Sequence, residues 1–292
     1  MKYVAVLLAA AVLLGCNTRN FASKSQTSPS SAVLAAKKTP PEITGGWEIV
    51  ATSNQTTTTI NETRVETQFS ESKNGKLAGS PTRVFGLVYP LDLFFLNNLQ
   101  FGGLCSSVAN SSATLTGRVL TKNPHRPAHV GLTLTEAPGV QFDFSGALQS
   151  DGSITGTYSG GGTTCADSGS FVAKPAVSMA GSYVNLNSGC ITCVFATVSE
   201  DTTVRPPAIS MGITATTFLG PIPTCTTNFT GTALANSAQV SGIEPDPEAC
   251  GTGTEETFQG IYFQNPIVLE RTIPAALLLF DSSGQVVWFF VP

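Results

Sequence analysis

The sequence predicts an all-β protein: two successive antiparallel β-barrel or β-sandwich meanders of about eight strands each, behind a disordered tether. Three observations carry this. The stretch Val140–Phe171 alternates apolar and polar residues through two strands and a turn. The same unit recurs at an offset of 85 residues, with Phe229-Thr230-Gly231 after Phe144-Ser145-Gly146 and Cys250 after Cys165. The rest of the chain is short alternating runs, with no long stretch of helical periodicity.

In the first hairpin Val140, Phe142, Phe144, Gly146 and Leu148 alternate with Gln141, Asp143, Ser145, Ala147 and Gln149. A period of two gives one buried and one solvated face. A two-residue turn at Asp151-Gly152 would set Leu148 against Thr155 and mix the faces. A three-residue loop, Ser150-Asp151-Gly152, pairs Leu148 with Ile154, Gly146 with Gly156 and Phe144 with Tyr158, with Gly152 in the left-handed position. In the echo, a two-residue Asn236-Ser237 loop is expected to pair Gly231 with Gly242 and Ala233 with Val240. A glycine facing a glycine in both copies suggests a repeated bend in a curled sheet.

The N-terminus supplies an address. Lys2 is a positive start, and Val4–Leu14 is an apolar run too short to span a bilayer. Leu13-Leu14-Gly15-Cys16 resembles the lipobox of bacterial lipoproteins. That resemblance implies that residues 1–15 are removed and that the Cys16 thiol carries a diacylglycerol. Asn17 is not the aspartate that typically retains such lipoproteins at the inner membrane, so the outer membrane is favoured. Residues 16–41 are rich in Ser, Thr, Lys, Ala and Pro, too poor in apolar content to fold. As a flexible coil such a tether spans roughly 25–30 Å.

The first domain, residues 42–175, opens at Gly45-Gly46-Trp47, a start that resembles lipocalin-like barrels. Strands follow near Thr63–Ser70, Thr82–Tyr89, Ala113–Thr121, His129–Thr135, Val140–Leu148, Ser153–Ser159 and Gly169–Lys174. Leu91, Phe94, Phe95 and Leu99 have helical spacing, so a turn or two of helix is expected to cap one barrel end. The second domain, residues 176–292, opens at Gly181-Ser182-Tyr183. Its strands are expected near Ser182–Asn187, Cys193–Ser199, Ala208–Phe218, Asn228–Ala235, Gln239–Ile243, Thr257–Phe263, Ala275–Phe280 and Gln285–Val291. The last is nearly all apolar and is expected to face both core and neighbours. Each domain is expected to fold by itself.

The chain looks like bacterial lipoproteins that carry the pattern F-x-G, G-x-Y, then C-x-x-S/G-G-x-F. Here that pattern is Phe144, Gly146, Gly156, Tyr158, Cys165, Ser168, Gly169 and Phe171. The second copy departs at Ile243, where the tyrosine would stand. The resemblance implies fold and location, and no chemistry.

Charged residues are only 12% of the chain and hydrophobic residues 41%, the profile of an exported β protein. The formal charge is −4, one unit more negative once Lys2 is lost, which gives no basis for nucleic-acid binding. After Cys16 there remain Cys105, Cys165, Cys190, Cys193, Cys225 and Cys250, an even number that suggests three disulfides. The offset favours Cys105–Cys165 in the first domain. In the second, Cys190–Cys250 with Cys193–Cys225 follows the repeat, and Cys190–Cys193 with Cys225–Cys250 is the local alternative.

Candidate chemistry is sparse. Cys190-Ile191-Thr192-Cys193 has redox-motif spacing, but its flanks read as turn and strand rather than a helix start. His125 and His129 are the only histidines, and Pro124 and Pro127 prevent a helical metal pair between them. Asp246, Glu248, Glu255 and Glu256 lack the alternating spacing of a calcium loop. The expectation is therefore a membrane-tethered, non-enzymatic binding or structural module with no catalytic residue, no metal and no cofactor. Its partners would be the membrane, through Cys16, and a small apolar ligand or an envelope protein. An envelope hydrolase drawing a carboxylate pair from Asp143, Asp151, Asp167 and Glu136 is the alternative. An outer-membrane barrel is a third reading.

Overall fold

Side chains that alternate in and out along each strand place the core inside two closed sheets. The computed structural model describes residues 43–55, 62–87, 99–100, 104, 113–120, 127–185, 192–217, 225–243, 254–264, 267–268, 271–282 and 286–292. The leader, Cys16 and the tether lie outside the described residues. The first sheet contains β1 (Gly45–Ser53), β2 (Glu62–Glu71), β3 (Lys76–Leu87), β4 (Leu99–Gln100), β5 (Thr114–Leu120), β6 (His129–Ala137), β7 (Val140–Leu148), β8 (Ile154–Gly161) and β9 (Ala166–Pro175). Each long strand pairs with its sequence neighbour, and β9 returns to β1, so eight of them close an up-and-down barrel. The second holds β10 (Gly181–Asn185), β11 (Thr192–Asp201), β12 (Ala208–Thr217), β13 (Cys225–Leu234), β14 (Ser237–Ile243), β15 (Glu255–Gln264), β18 (Ala275–Phe280) and β19 (Val286–Val291) in a second closed barrel. A minor pair, β16 (Ile267–Val268) and β17 (Arg271–Thr272), stands apart from it.

The first β1 residues pair with β2 and β9, whereas β19 pairs with β18 and β10. Each barrel therefore closes on its own strands. Residues 40–292 nevertheless form one compact unit.

Both interiors are filled. Phe142 and Phe144 meet Tyr158, and Phe144 also meets Phe171, with ring centroids 5.2–6.4 Å apart. In the second barrel Phe229, Phe258 and Trp288 form a triad at 5.3–5.9 Å. Ile49, Leu134, Phe142, Ile154, Phe229 and Val240 expose nothing to solvent, so no water-sized probe reaches them from inside or outside. The outer face of the first barrel is Thr- and Ser-rich, with Thr116, Asp143, Ser145, Thr157 and Ser170 all exposed. A membrane-spanning barrel turns its apolar side outward instead.

The first hairpin has the expected register: Leu148 faces Ile154, Gly146 faces Gly156 and Phe144 faces Tyr158. Gly152 has φ +86°, the left-handed value the loop requires. The second hairpin differs from expectation. Its two-residue loop is Ala235-Asn236, not Asn236-Ser237; Gly231 faces Val240, and Ala233 faces Ala238. The register is thus shifted by two residues. A shift of two keeps every side chain on its face, so the burial pattern could not choose between the alternatives. The turn chose: Ala235 takes a left-handed φ of +52°. Gly242 instead makes room for the Phe229 ring, since a Cβ there would stand 2.6 Å from it.

The expected helical turn over Pro90–Phe101 lies outside the described residues, except that Leu99 and Gln100 form a strand. The far end of β3 extends past its pairing with β5, and its Gly86 and Leu87 take Gln100 and Leu99 as partners.

The glycine pair in the first hairpin yields a test. A Cβ on Gly156 would stand 2.0 Å from the Ser145 carbonyl oxygen, a backbone atom that cannot swing away. Gly156→Val is expected to abolish the cooperative near-ultraviolet CD melt of the first barrel. Gly131→Ala, where nothing lies within 4 Å, is expected to change stability by no more than about 0.5 kcal/mol. Equal melts for the two variants would show that the barrel can open at this crossing.

Candidate functional site

The chemistry of the chain concentrates where the two barrels meet. β1, β2 and β3 turn Ile49, Val65 and Val84 inward, which sends Glu48, Arg64, Glu66, Arg83 and Phe85 outward. Cross-strand pairing lines up Glu48, Glu66 and Arg83 in one row, and Val50, Arg64 and Phe85 in the next. Apart from the half-buried Arg83, these outward residues do not face water. Glu66 is wholly buried, and Glu48 and Arg64 are nearly so.

The second barrel covers them. The β13–β14 turn presents Asn236, whose main-chain N–H donates to Glu66 Oε2 at 2.9 Å and whose Nδ2 donates to Glu48 Oε2 at 2.9 Å. Its Oδ1 accepts from the Val177 amide at 3.0 Å, and its carbonyl accepts from the Tyr262 amide at 2.7 Å. One turn residue thus ties the first barrel, the linker and β15 together. Arg64 forms an ion pair with Glu48 and reaches Glu62 at 3.3 Å. Its guanidinium lies 4.5 Å from the centre of the Phe263 ring, a cation–π contact between barrels. Arg83 Nη2 donates to Gln239 Oε1 at 3.3 Å.

Beside this polar patch lies an apolar one. Phe85 packs into a cluster with Ile261, Phe263, Ala276, Leu278, Phe280 and Phe289, all on the outer face of β15, β18 and β19. Trp288 and Phe290 point into the second core from the same strand as Phe289. The unbroken apolar run of the last strand therefore does face both core and neighbours.

Burial sets the electrostatics. Burial pushes the Glu66 carboxyl well above the usual carboxylate range, and the facing Glu48 adds to this; Arg64 and the Asn236 amide offset only part. Burial lowers Arg83, with the Glu66 charge acting against that.

A second polar group sits at the inward-facing end of β8 and β9. Asp167 accepts from Tyr158 Oη at 2.8 Å and from Ser53 Oγ at 2.7 Å. Burial, then the bond to Asp167, raises the Tyr158 hydroxyl pKa above its ordinary value. Glu136, fully buried at the end of β6, accepts from the Leu104 amide at 2.7 Å. Among the other carboxylates weighed from sequence, Asp143 is on the outer face, held by Thr133 at 2.7 Å. Asp151 lies in the β7–β8 loop, held by Ser153 and exposed, with its pKa lowered by those bonds. Asp151 is at the opposite barrel end from Asp167 and Glu136, since β7 runs from the one end to the other. An open groove of about 610 Å³ near the start of β3 is lined in part by Glu71, Lys76, Thr116 and Arg118.

Cys165 and Cys225 each take part in a disulfide. Cys105, Cys190 and Cys250 lie outside the described residues, so each expected pairing but Cys193–Cys225 reaches beyond them. Cys193 sits within β11, opposite Thr216, a strand rather than a helix start. His129 opens β6 and contacts Ser145 Oγ at 3.0 Å on the outer face, and His125 lies outside the described residues. Asp246 and Glu248 do too, while Glu255 and Glu256 are exposed at the start of β15. Among the described residues no three His, Cys, Asp or Glu side chains gather as metal ligands.

Sequence reasoning passed over Glu48, Arg64 and Glu66. The alternation in β1 and β2 marks them as outward, and an outward charge is ordinarily solvated. The signal available was density: Glu62, Arg64 and Glu66 fall on one strand of a chain with few charges.

The fold and seam define a tandem of eight-stranded up-and-down barrels joined by a buried polar contact. Compared with known proteins, the chain matches no protein-family model and no curated protein.

Proposed function

We propose that the chain is a lipid-anchored lipoprotein of the cell envelope, acting as a non-enzymatic binding or structural module. The observation that carries the reading is Leu13-Leu14-Gly15-Cys16 at the end of the apolar run Val4–Leu14. Acylation of Cys16 would insert chains worth about 0.8 kcal/mol per buried methylene, enough for stable anchoring when two or more are present. Residues 17–41 would hold the barrels clear of the headgroups. The packed interiors support a role played by outer surfaces rather than by an enclosed ligand chamber. The outer membrane is the favoured address, on the strength of Asn17.

Cys16→Ala is expected to abolish metabolic labelling with a fatty acid and to move the protein from the membrane to the soluble fraction. Membrane retention of that variant, with no label on the parent chain, sinks the reading.

A further inference from the structure

We infer that the Glu48–Glu66 pair is a proton-dependent latch: docking of the two barrels holds one proton between these carboxyl groups, and its loss loosens the seam. Four observations carry it. Glu48 and Glu66 stand directly opposite each other on neighbouring strands, the placement in which two like charges repel most. Glu66 is wholly buried, where an unneutralised carboxylate is costly. Its Oε1 is buried without a hydrogen-bond partner, and its carboxyl interacts with that of the facing Glu48. Two acceptors can bond only if one carries a proton, so a proton on Glu66 Oε1 donating to Glu48 satisfies both. Finally, Asn236 grips both carboxyls and the linker at once, so charge on the pair acts on the joint itself.

Other charged groups surround the pair. β1 contributes Glu48, β2 contributes Glu62 and Arg64, β3 contributes Arg83, and β9 contributes Lys174, opposite Glu48 and exposed. Arg64 is shared by Glu48 and Glu62, and Arg83, opposite Glu66, donates to Gln239 through Nη2 while its buried Nη1 has no hydrogen-bond partner. The second barrel brings Asn236, Gln239 and Phe263 to the seam, none of them titratable, and Tyr262 packs against its interior cluster. The linker Ala176–Ala180 has no charged side chain.

The sign follows from linkage. Glu66 holds its proton more tightly docked than undocked, so the latch is fully set below the ordinary glutamate range of about 4.3. Docking weakens about tenfold per pH unit from there up to the docked midpoint, then levels off.

The test uses the full chain. Side-chain carboxyl carbon NMR follows Glu66, and hydrogen exchange, corrected for its intrinsic pH dependence, follows the Val177 amide that bonds Asn236. Glu66 is expected to titrate above the other glutamates. Val177 opening should rise about tenfold per pH unit until that midpoint. Glu66→Gln, which keeps the shape and supplies a permanent donor, should flatten that slope. In Glu48→Gln the Glu66 midpoint should fall. An ordinary midpoint for Glu66 in the parent chain overturns the proposal, and so does Val177 exchange that ignores its titration. Both readouts come from the unsubstituted protein, so neither depends on a variant folding.

Discussion

Replacing Phe229 by alanine is expected to destabilise the protein by about 3–5 kcal/mol, the range for deleting a fully buried aromatic ring. Phe229 exposes nothing and holds both Phe258 and Trp288 in edge contact. Its ring also rests over Gly242, which has no side chain to swing into the void. The cavity would therefore stay open. Urea unfolding followed by tryptophan fluorescence checks this, because one tryptophan lies in each core: Trp47 in the first and Trp288 in the second. Phe144→Ala, at the equivalent position in the first barrel, should cost a similar amount. A loss below about 1 kcal/mol for either would mean that the interior can collapse around the gap.

Removing the arginine of the seam should cost as much. Arg64→Ala strips the counter-charge from Glu48 and Glu62 and the cation from the face of Phe263. Breaking a buried ion pair on one side typically costs about 3–5 kcal/mol, because the abandoned charge stays buried. That is a different quantity from the net worth of the pair, which is often near zero. The deficit should shrink as the pH falls, since Arg64 also favours the charged form of Glu66, and protonating that carboxyl removes the charge the arginine would offset. Thermal melts of parent and variant from neutral to acid pH read this out. A deficit that stays constant over that range would place the loss in packing of the arginine stem instead.

Much of the first barrel is legible in the chain. The Val140–Leu148 strand has the bounds expected of it, and so does Ala275–Phe280. The register of the first hairpin follows because Phe144, Gly146 and Leu148 have only one alignment in which a three-residue loop ends on a left-handed glycine. The second hairpin shows the limit of the same logic. Two registers two residues apart satisfy the alternation around Phe229 equally well, and the conformation of Ala235 selects between them. That conformation is stabilised from outside the hairpin, where Asn236 meets Glu48 and Glu66 of the other barrel.

By itself the sequence determined the class of fold, the number and place of the long strands, and the apolar faces that fill each barrel. These are local properties: a period of two and a turn residue act over a few positions. Tertiary structure alone decided that much of the outward faces of β1, β2, β3, β15, β18 and β19 is not surface. Alternation distinguishes the two sides of a strand, but it cannot say whether the outer side meets water or a second barrel. For Glu66 that difference changes a solvated carboxylate into a buried one, because the solvent that would stabilise its charge is displaced by Asn236.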